Sequence, residues 1–534
     1  MSDTEQQRLI RTLLTPSWYP HRVEEVTHLE THISHVLLAG DKAYKIKKPL
    51  DLGFLNFSTL DRRRFYCEEE LRLNRRLAPE LYEAVVAFSG TPEAPQFDGE
   101  GEAFEYAVRM KRFDREQELD RLLERDALPR HWMDELAQTV GDFHRSIPRA
   151  GKDSSLGTPE AVLAPMEENF DQLEALLEDS EELQRLARLR EWTLARFRDL
   201  RERLATRHRE GFIRECHGDM HLGNMAQVDD RIVIFDGIEF SESLRWIDVA
   251  SEVAFVTMDL KDRGAPAHAH RFLNGWLEHT GDYAMLTLLP FYEVYRAMVR
   301  AKVAGIRLGQ EGLATEEREQ ARAQCQEYLA FAEQLTEDAT KPALLINHGL
   351  SGSGKTTLSQ PLVEELGAVT IRSDVERKRL AGMDALERGS TDPGAGIYAE
   401  EMSRRTYTRL AELCEEVLKA GYVAIADATF LGREYRDIFA RLARRLGVPF
   451  VVLHFQAPEA VLRERVEARA ARGDDASDAG VAVLEHQLRT VETPGDDESV
   501  IRIDSTAPLS PDKLHEVRQL VEQDGNPSPE QKEQ

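Results

Sequence analysis

Cysteine is scarce in this chain, with four in 534 residues. Cys67, Cys216, Cys325 and Cys414 lie far apart and form no C-x-x-C pair, so neither a disulfide framework nor a zinc site is suggested. Long apolar runs are missing too, and no stretch is long enough to span a bilayer. Positive charge is in deficit: 69 Lys and Arg stand against 96 Asp and Glu, a net charge of −27. That balance argues against bulk binding to nucleic-acid phosphates or to an anionic membrane surface, while leaving room for a local basic pocket. The opening residues, Met-Ser-Asp-Thr-Glu-Gln-Gln, are polar and acidic, unlike a signal peptide. A cytoplasmic protein is expected, with no membrane association and no implied protein partner.

What is present points to packed domains. Hydrophobic residues make up 41% of the chain, and 534 residues exceed what one core can serve, so two or three domains are expected. The sharpest signal is Gly349-Leu-Ser-Gly-Ser-Gly354-Lys355-Thr356, which fits the phosphate-binding pattern G-x-x-x-x-G-K-[ST]. Ala343 to Asn347 ahead of it reads as a buried strand, and Thr357 to Leu366 behind it as a helix. That order suits the chemistry. Glycines let backbone N–H groups wrap a phosphate, and the helix N-terminus adds a favourable dipole. The expected cradle is Gly349, Ser351, Gly352, Ser353, Gly354, Lys355, Thr356 and Thr357, with Lys355 reaching the β and γ phosphates and Thr356 holding Mg²⁺. A plain Gly/Ser turn is the alternative, and the flanks argue against it.

Further strands follow at Ala368–Asp374, Tyr422–Asp427, Val451–Phe455 and Val500–Ile503, alternating with helices. This pattern predicts an α/β P-loop domain with a parallel sheet over 343–523. Ligands bind outside the carboxyl ends of such strands, where Asp374 and Asp427 fall. Arg465 and Arg469 are one helical turn apart and share a face; the competing reading is a solvated face beside Glu464 and Glu467. Residues 336–342 read as a linker and 524–534 as a disordered tail.

The first 335 residues read differently. Residues 1 to about 30 look like a helical lead-in, followed by a hairpin of Ser34–Ala39 and Lys42–Lys47 around Gly40-Asp41, a charged helix from Arg62 to Leu77, and strands at Ala84–Phe88 and Glu102–Lys111. A mostly helical stretch comes next, interrupted by the loop from Cys216 to Asn224 and the strand from Arg231 to Phe235. His217-Gly218-Asp219, Asn224 five positions after the aspartate, a strand, and then Asp236-Gly237 reproduce the spacing of a kinase catalytic loop and its metal-binding aspartate. Asp219 would orient the acceptor hydroxyl, while Asn224 and Asp236 would hold Mg²⁺ against the ATP phosphates.

His-Gly-Asp rather than His-Arg-Asp, with His221 and Gly223 inside the loop and the helix carrying Tyr295 to Lys302, resembles the aminoglycoside phosphotransferase and choline kinase-like superfamily. The resemblance implies an α+β bilobal, protein-kinase-like domain over 1–335 that uses ATP. It also implies a strand lysine paired with a helix glutamate. Lys45 and Lys47 share a strand face, and Ala43-x-Lys45 favours Lys45, with Glu70 as its partner. No G-x-G-x-x-G loop precedes this strand. The second half resembles small P-loop kinases of the polynucleotide kinase and zeta-toxin type. There, the resemblance makes Asp374 the substrate-hydroxyl base with Arg377 beside it, puts Asp427 in the Walker B-like metal position, and makes Arg465 and Arg469 lid arginines.

The expected function is an ATP- and Mg²⁺-dependent phosphotransferase with two nucleotide sites, acting on hydroxyls of small molecules. Two alternatives stand beside it: a single P-loop kinase regulated by a nucleotide-sensing kinase-like domain, and a nucleic-acid end kinase, which the net charge disfavours.

Overall fold

The structure is a computed structural model that describes residues 3–51, 53, 55–308, 314–337, 341–384, 387, 399–472, 476, 477 and 479–522. The expected tail, and residues 338–340 of the expected linker, lie outside them. The chain divides into two compact units. One comprises Met1–Arg263 and Phe291–Thr336; the other comprises Gly264–Pro290 and Glu337–Gln534.

The first unit opens with helix α1 (Asp3–Leu13) and an antiparallel sheet of β1 (Val26–Glu30), β2 (Ser34–Ala39), β3 (Lys42–Lys47), β4 (Tyr82–Thr91), β5 (Ala94–Phe97) and β6 (Glu105–Lys111), in the order β1-β2-β3-β6-β4-β5. Helix α2 (Leu60–Asn74) falls between β3 and β4. Alternation along the strands sends Leu37, Ala39, Tyr44, Ile46, Val86 and Phe88 into a core shared with Leu9, Ile10 and Leu13 of α1. The helical lead-in is therefore only partly right. α1 stops at Leu13, Pro16 starts a single 3₁₀ turn, and the chain then enters β1. β5 lies in what reads as a turn-rich loop. It is an edge strand, where Pro95 costs no ladder hydrogen bond.

The rest of this unit is mainly helical: α3 (Leu119–Glu124), α4 (Trp132–Ser146), α5 (Pro159–Leu176), α6 (Ser180–Glu210), α7 (Glu242–Arg245), α8 (Val249–Asp262), and, after the segment described below, α10 (Leu289–Leu308) and α11 (Thr315–Glu337). Two small antiparallel pairs interrupt it: β7 (Ile213–Glu215) with β10 (Trp246–Asp248), and β8 (Met225–Val228) with β9 (Arg231–Ile234). Phe170, Leu189, Phe255, Met258, Met298 and Leu329 anchor its core. Of these helices, α8 and α10 touch the loop after β7, which carries Asp219, through Glu252 and Arg296; Asp236 follows β9.

The second unit has a five-stranded parallel sheet: β11 (Leu344–His348), β12 (Val369–Arg372), β13 (Ala424–Asp427), β14 (Phe450–Gln456) and β15 (Val500–Asp504), in the order β12-β13-β11-β14-β15. Its connecting helices are α12 (Lys355–Leu366), α13 (Ser373–Leu380), α14 (Glu400–Lys419), α15 (Arg433–Leu446), α16 (Glu459–Arg472), α17 (Val481–Thr490) and α18 (Pro511–Glu522). β12 is shorter than expected. It ends at Arg372, so Asp374 sits in the first turn of α13 rather than at a strand end.

This unit also holds α9 (Pro266–Thr280), which comes from within the first 335 residues. Polar pairs fasten it beside α12 and β12. Asn274 Oδ1 accepts the Thr370 N–H at 2.7 Å, Arg271 pairs with Glu364 at 2.9 Å, and Arg372 pairs with Glu278 at 3.1 Å. Arg379 also donates to the Glu278 carbonyl at 2.6 Å. No helix among the described residues is long and apolar enough to cross a membrane. Because the Thr370 amide is tied to a side chain, Asn274→Ala should destabilise the full-length protein by about 1–3 kcal/mol, the cost of an unpaired buried donor. Urea unfolding monitored on this unit's transition checks it.

Candidate active sites

In the first unit one cavity of about 1210 Å³ is lined in part by Lys45, Asp219, Asp236 and Gly237. Lys45 Nζ lies 2.9 Å from Glu70 Oε1 and also pairs with Asp236. Lys47 Nζ contacts the other oxygen of Glu70 at 2.6 Å and pairs with Glu239, fully buried over the Phe57 ring. The two lysines are thus separated by geometry: Lys45 reaches the cavity, and Lys47 does not line it. Burial pushes the Glu70 carboxyl up, but Lys45 and Lys47 outweigh it and bring it down to about 2. Burial alone would lower Lys45; Asp236 and Glu70 reverse that and hold it well above its usual range.

Asp219 and Asn224 meet directly. Asn224 Nδ2 donates to the Asp219 carbonyl at 2.9 Å and to Asp219 Oδ2 at 3.0 Å. Burial would raise the Asp219 carboxyl, yet His221 at 3.5 Å, then Arg300 and His217, hold it well below the carboxylate range. His217 is a brace: its Nε2 donates to the Phe235 carbonyl at 2.9 Å, and its Nδ1 accepts from the Asp219 amide at 3.3 Å. Asp236 has a left-handed backbone, φ 63°. A conformation that costs about 1–3 kcal/mol needs support. It comes from Tyr82, whose hydroxyl accepts the Asp236 N–H at 3.1 Å, and from Asn74 Oδ1, which accepts the Gly237 N–H at 2.8 Å.

Several supporting residues carry no sequence pattern of their own. Glu252 Oε1 accepts the His217 and Gly218 amides at 2.8 and 2.7 Å, and Glu252 Oε2 meets His144 Nε2 at 2.9 Å. Arg296 donates to the Gly218 carbonyl at 3.0 Å and to the Ser251 carbonyl at 3.0 Å. Gly218 has φ 88°, and a Cβ there would come within 2.8 Å of the Leu244 carbonyl oxygen, so the loop needs glycine. The available signal for Glu252 is a lone acid in the apolar run Val249 to Phe255. The roof of the cavity, for which no glycine-rich loop exists, is the β1–β2 turn: Leu29, Thr31, His32 and Ile33 line it.

In the second unit the P-loop connects β11 to α12. Gly349, Gly352 and Gly354 all have positive φ, and a Cβ on Gly349 or Gly352 would strike backbone oxygens at 2.9 or 2.7 Å. Thr356 Oγ1 donates to Asp427 Oδ2 at 2.6 Å, and Asn347 Nδ2 donates to Asp427 Oδ1 at 3.1 Å. Lys355 Nζ contacts the Gly349 and Leu350 carbonyls at 3.0 and 2.9 Å. Ser353 Oγ is buried with no hydrogen-bond partner among the described residues. Thr357 is exposed in the first turn of α12. Ser351 N–H donates to Gln487 Oε1 at 2.8 Å, a contact that no sequence pattern announces.

Asp374 and Arg377 sit on α13 at the same sheet end as Asp427, since Arg372 is the register partner of Asp427. Arg377 is buried and reaches Ser403 Oγ at 3.2 Å. Arg465 touches the Gly352 carbonyl at 3.4 Å and the Ser505 carbonyl at 2.7 Å, so it lies at the P-loop. Arg469 donates to the Ala479 carbonyl at 2.9 Å.

Comparison with known proteins matches these two assemblies in turn. The model described as "Phosphotransferase enzyme family" matches residues 60–288, and that described as "AAA domain" matches 344–494. An uncharacterized protein of Mycobacterium tuberculosis is 31% identical over 458 residues, covering 85% of this chain and 88% of that protein. The chain belongs to the phosphotransferase enzyme family, with a P-loop kinase domain appended. The chain is also similar to a gluconokinase of Gluconobacter oxydans, 31% identical over 174 residues, covering 32% of this chain and 88% of that protein. Among solved structures, a choline kinase from Cryptosporidium parvum Iowa II is 13% identical, with a TM-score of 0.40, covering 63% of this chain and 97% of that chain.

The Glu70 pair yields a signed prediction. A carboxyl whose folded pKa is depressed contributes stability above its unfolded value, near 4.3, and that contribution is lost as the pH falls through about 2. Glu70→Gln should therefore be less stable than the wild type by about 3–5 kcal/mol at neutral pH. The difference should shrink as the pH falls from about 4.3 toward 2, as followed by denaturant titration across that range.

Proposed function

We propose that this phosphotransferase uses two ATP·Mg sites, one in each unit, and transfers the γ-phosphoryl group to hydroxyls of small molecules. One observation supports the reading: each unit gathers its own set of the side chains that this chemistry needs. In the first, Lys45 sits between Glu70 and Asp236, and Asn224 is hydrogen-bonded to Asp219. In the second, Thr356 is bonded to Asp427 at the foot of a glycine-formed loop.

The residues fit the cofactor. Asp236 and Asn224 in the first unit, and Thr356 and Asp427 in the second, offer the oxygen donors that Mg²⁺ prefers. The glycine backbone that a Cβ would block, and the unpartnered Ser353 hydroxyl inside it, suit a phosphate. Bound ATP supplies the phosphoryl group, and Mg²⁺ neutralises its charge. This chain's side chains do the rest. Asp219, kept ionised by His221, orients an acceptor hydroxyl and takes its proton. Lys45 and Lys355 fix phosphate oxygens, and Arg465 adds positive charge beside the P-loop, with Arg469 one helical turn further along α16. Asp374 with Arg377 would serve the second acceptor.

The acceptor ends differ. In the first cavity, Glu168, Gln172, Tyr295 and Lys302 form a mixed polar wall. For the second unit, the likeness to a gluconokinase favours a sugar-acid or polyol hydroxyl. The net charge of −27 weighs against a nucleic-acid end as acceptor.

The test is a metabolite screen for phosphorylated products with ATP and Mg²⁺, run on the wild type, Asp219→Asn and Lys355→Ala. Each variant should lose a different product by roughly 100-fold or more, and chelation of Mg²⁺ should abolish both. If Lys355→Ala removes every product and Asp219→Asn none, the first unit is a nucleotide sensor instead.

A further inference from the structure

Away from the reacting residues of both sites, one side-chain cluster has the makings of a metal site. His28 and Glu30 lie two residues apart on β1 and share a face, and His35 on β2 is the cross-strand partner of Glu30. Their donor atoms all lie within 4.8 Å of one another. His28 Nε2 and His35 Nδ1 are 3.1 Å apart. Two imidazole nitrogens on one tetrahedral Zn²⁺, each bonded at about 2.0–2.1 Å, would be separated by about 3.3 Å. We infer that this hairpin binds one divalent transition-metal ion of the Zn²⁺ class. Its ligands are His28 Nε2, His35 Nδ1 and a Glu30 carboxylate oxygen, with water completing the shell.

The three ligands play different parts. His35 is buried at 6% exposure, so its ring is held in place. Glu30 is 57% exposed and can turn toward the nitrogens, while Lys48, 2.7 Å from its Oε1, holds the other oxygen. Two imidazoles and a carboxylate select a borderline ion over Mg²⁺, which prefers oxygen throughout. Cysteine spacing suggests no zinc site because this one uses no cysteine and brings its ligands together only through strand register.

A second gathering of metal-ligating types, His144, Cys216 and Glu252, does not compete. Its carboxylate is already taken by the His217 and Gly218 amides and by His144. The hairpin cluster has a further consequence. Leu29 and Thr31 alternate to the opposite strand face and line the first cavity, together with His32 and Ile33. An ion across β1 and β2 would therefore stiffen the turn that roofs this cavity.

The experiment titrates metal-stripped, full-length protein with Zn²⁺ against a chromophoric chelator, in millimolar Mg²⁺ to fill the oxygen-rich sites. The wild type should bind one more Zn²⁺ per chain than His28→Ala, or bind it roughly 100-fold more tightly. Glu30→Gln, at an exposed position, should weaken binding in the same direction, and it carries the comparison if His28→Ala fails to fold. Hydrogen exchange at residues 29–34 should slow on Zn²⁺ addition in the wild type only. Equal stoichiometry and affinity in all three proteins, or no binding by the wild type, would overturn the assignment and leave a His–His hydrogen bond.

Discussion

Five charged groups meet where β3, α2 and the loop after β9 converge: Lys45, Lys47, Glu70, Asp236 and Glu239. Burying such groups singly would be prohibitive, and here each has an opposite neighbour in direct contact. Glu70 is the pivot because its two oxygens serve different lysines. Through it, the position of α2 is tied to β3, and β3 is tied to the loop that carries Asp236. Lys47 is wholly enclosed and acts as a fastener. Lys45 sits at the boundary between this buried lattice and the cavity, so its location is dictated from behind and its charge is offered in front.

The second unit reaches a comparable end by other means. Its P-loop is shaped by backbone conformation, with three glycines in positive φ, rather than by a lattice of side-chain charges. Asp427 is set by strand register between Asn347 and Arg372 and locked by Thr356 and Asn347. A glycine-formed loop depends on a few positions that tolerate no Cβ. The first unit depends on many residues that must each keep a partner. The two candidate sites thus have very different sensitivities to substitution.

That contrast also explains what could be read from sequence. The P-loop and the Asp219–Asn224–Asp236 set are legible because each is a pattern of fixed spacing along the chain. The parallel sheet is legible because buried strands alternate with helices. Lys45 and Lys47 are indistinguishable by periodicity, since both point to one face; the Ala43-x-Lys45 pattern favours Lys45, and the positions of Asp236 and Glu239 separate the two in space. Glu252, Arg296, Tyr82 and Asn74 hold the catalytic loop from distant elements and leave no local spacing to detect. β1 was hidden for a different reason: it is short, with an irregular burial pattern, and follows a chain segment broken by Pro16 and Pro20.

The placement of α9 decides where the second unit can be separated from the first along the chain. The chain passes from the first unit to the second at Arg263–Gly264, returns at Pro290–Phe291, and leaves again at Thr336–Glu337. Three covalent crossings join what a family comparison divides into two consecutive blocks. A gene rearrangement that moved only the later block would leave behind the helix that caps the Thr370 amide and neutralises Arg372. A second unit cut out at Glu337 would lose the Asn274, Arg271 and Glu278 partners of Thr370, Glu364 and Arg372, and with them the polar ties that hold β12 and α12 on that side.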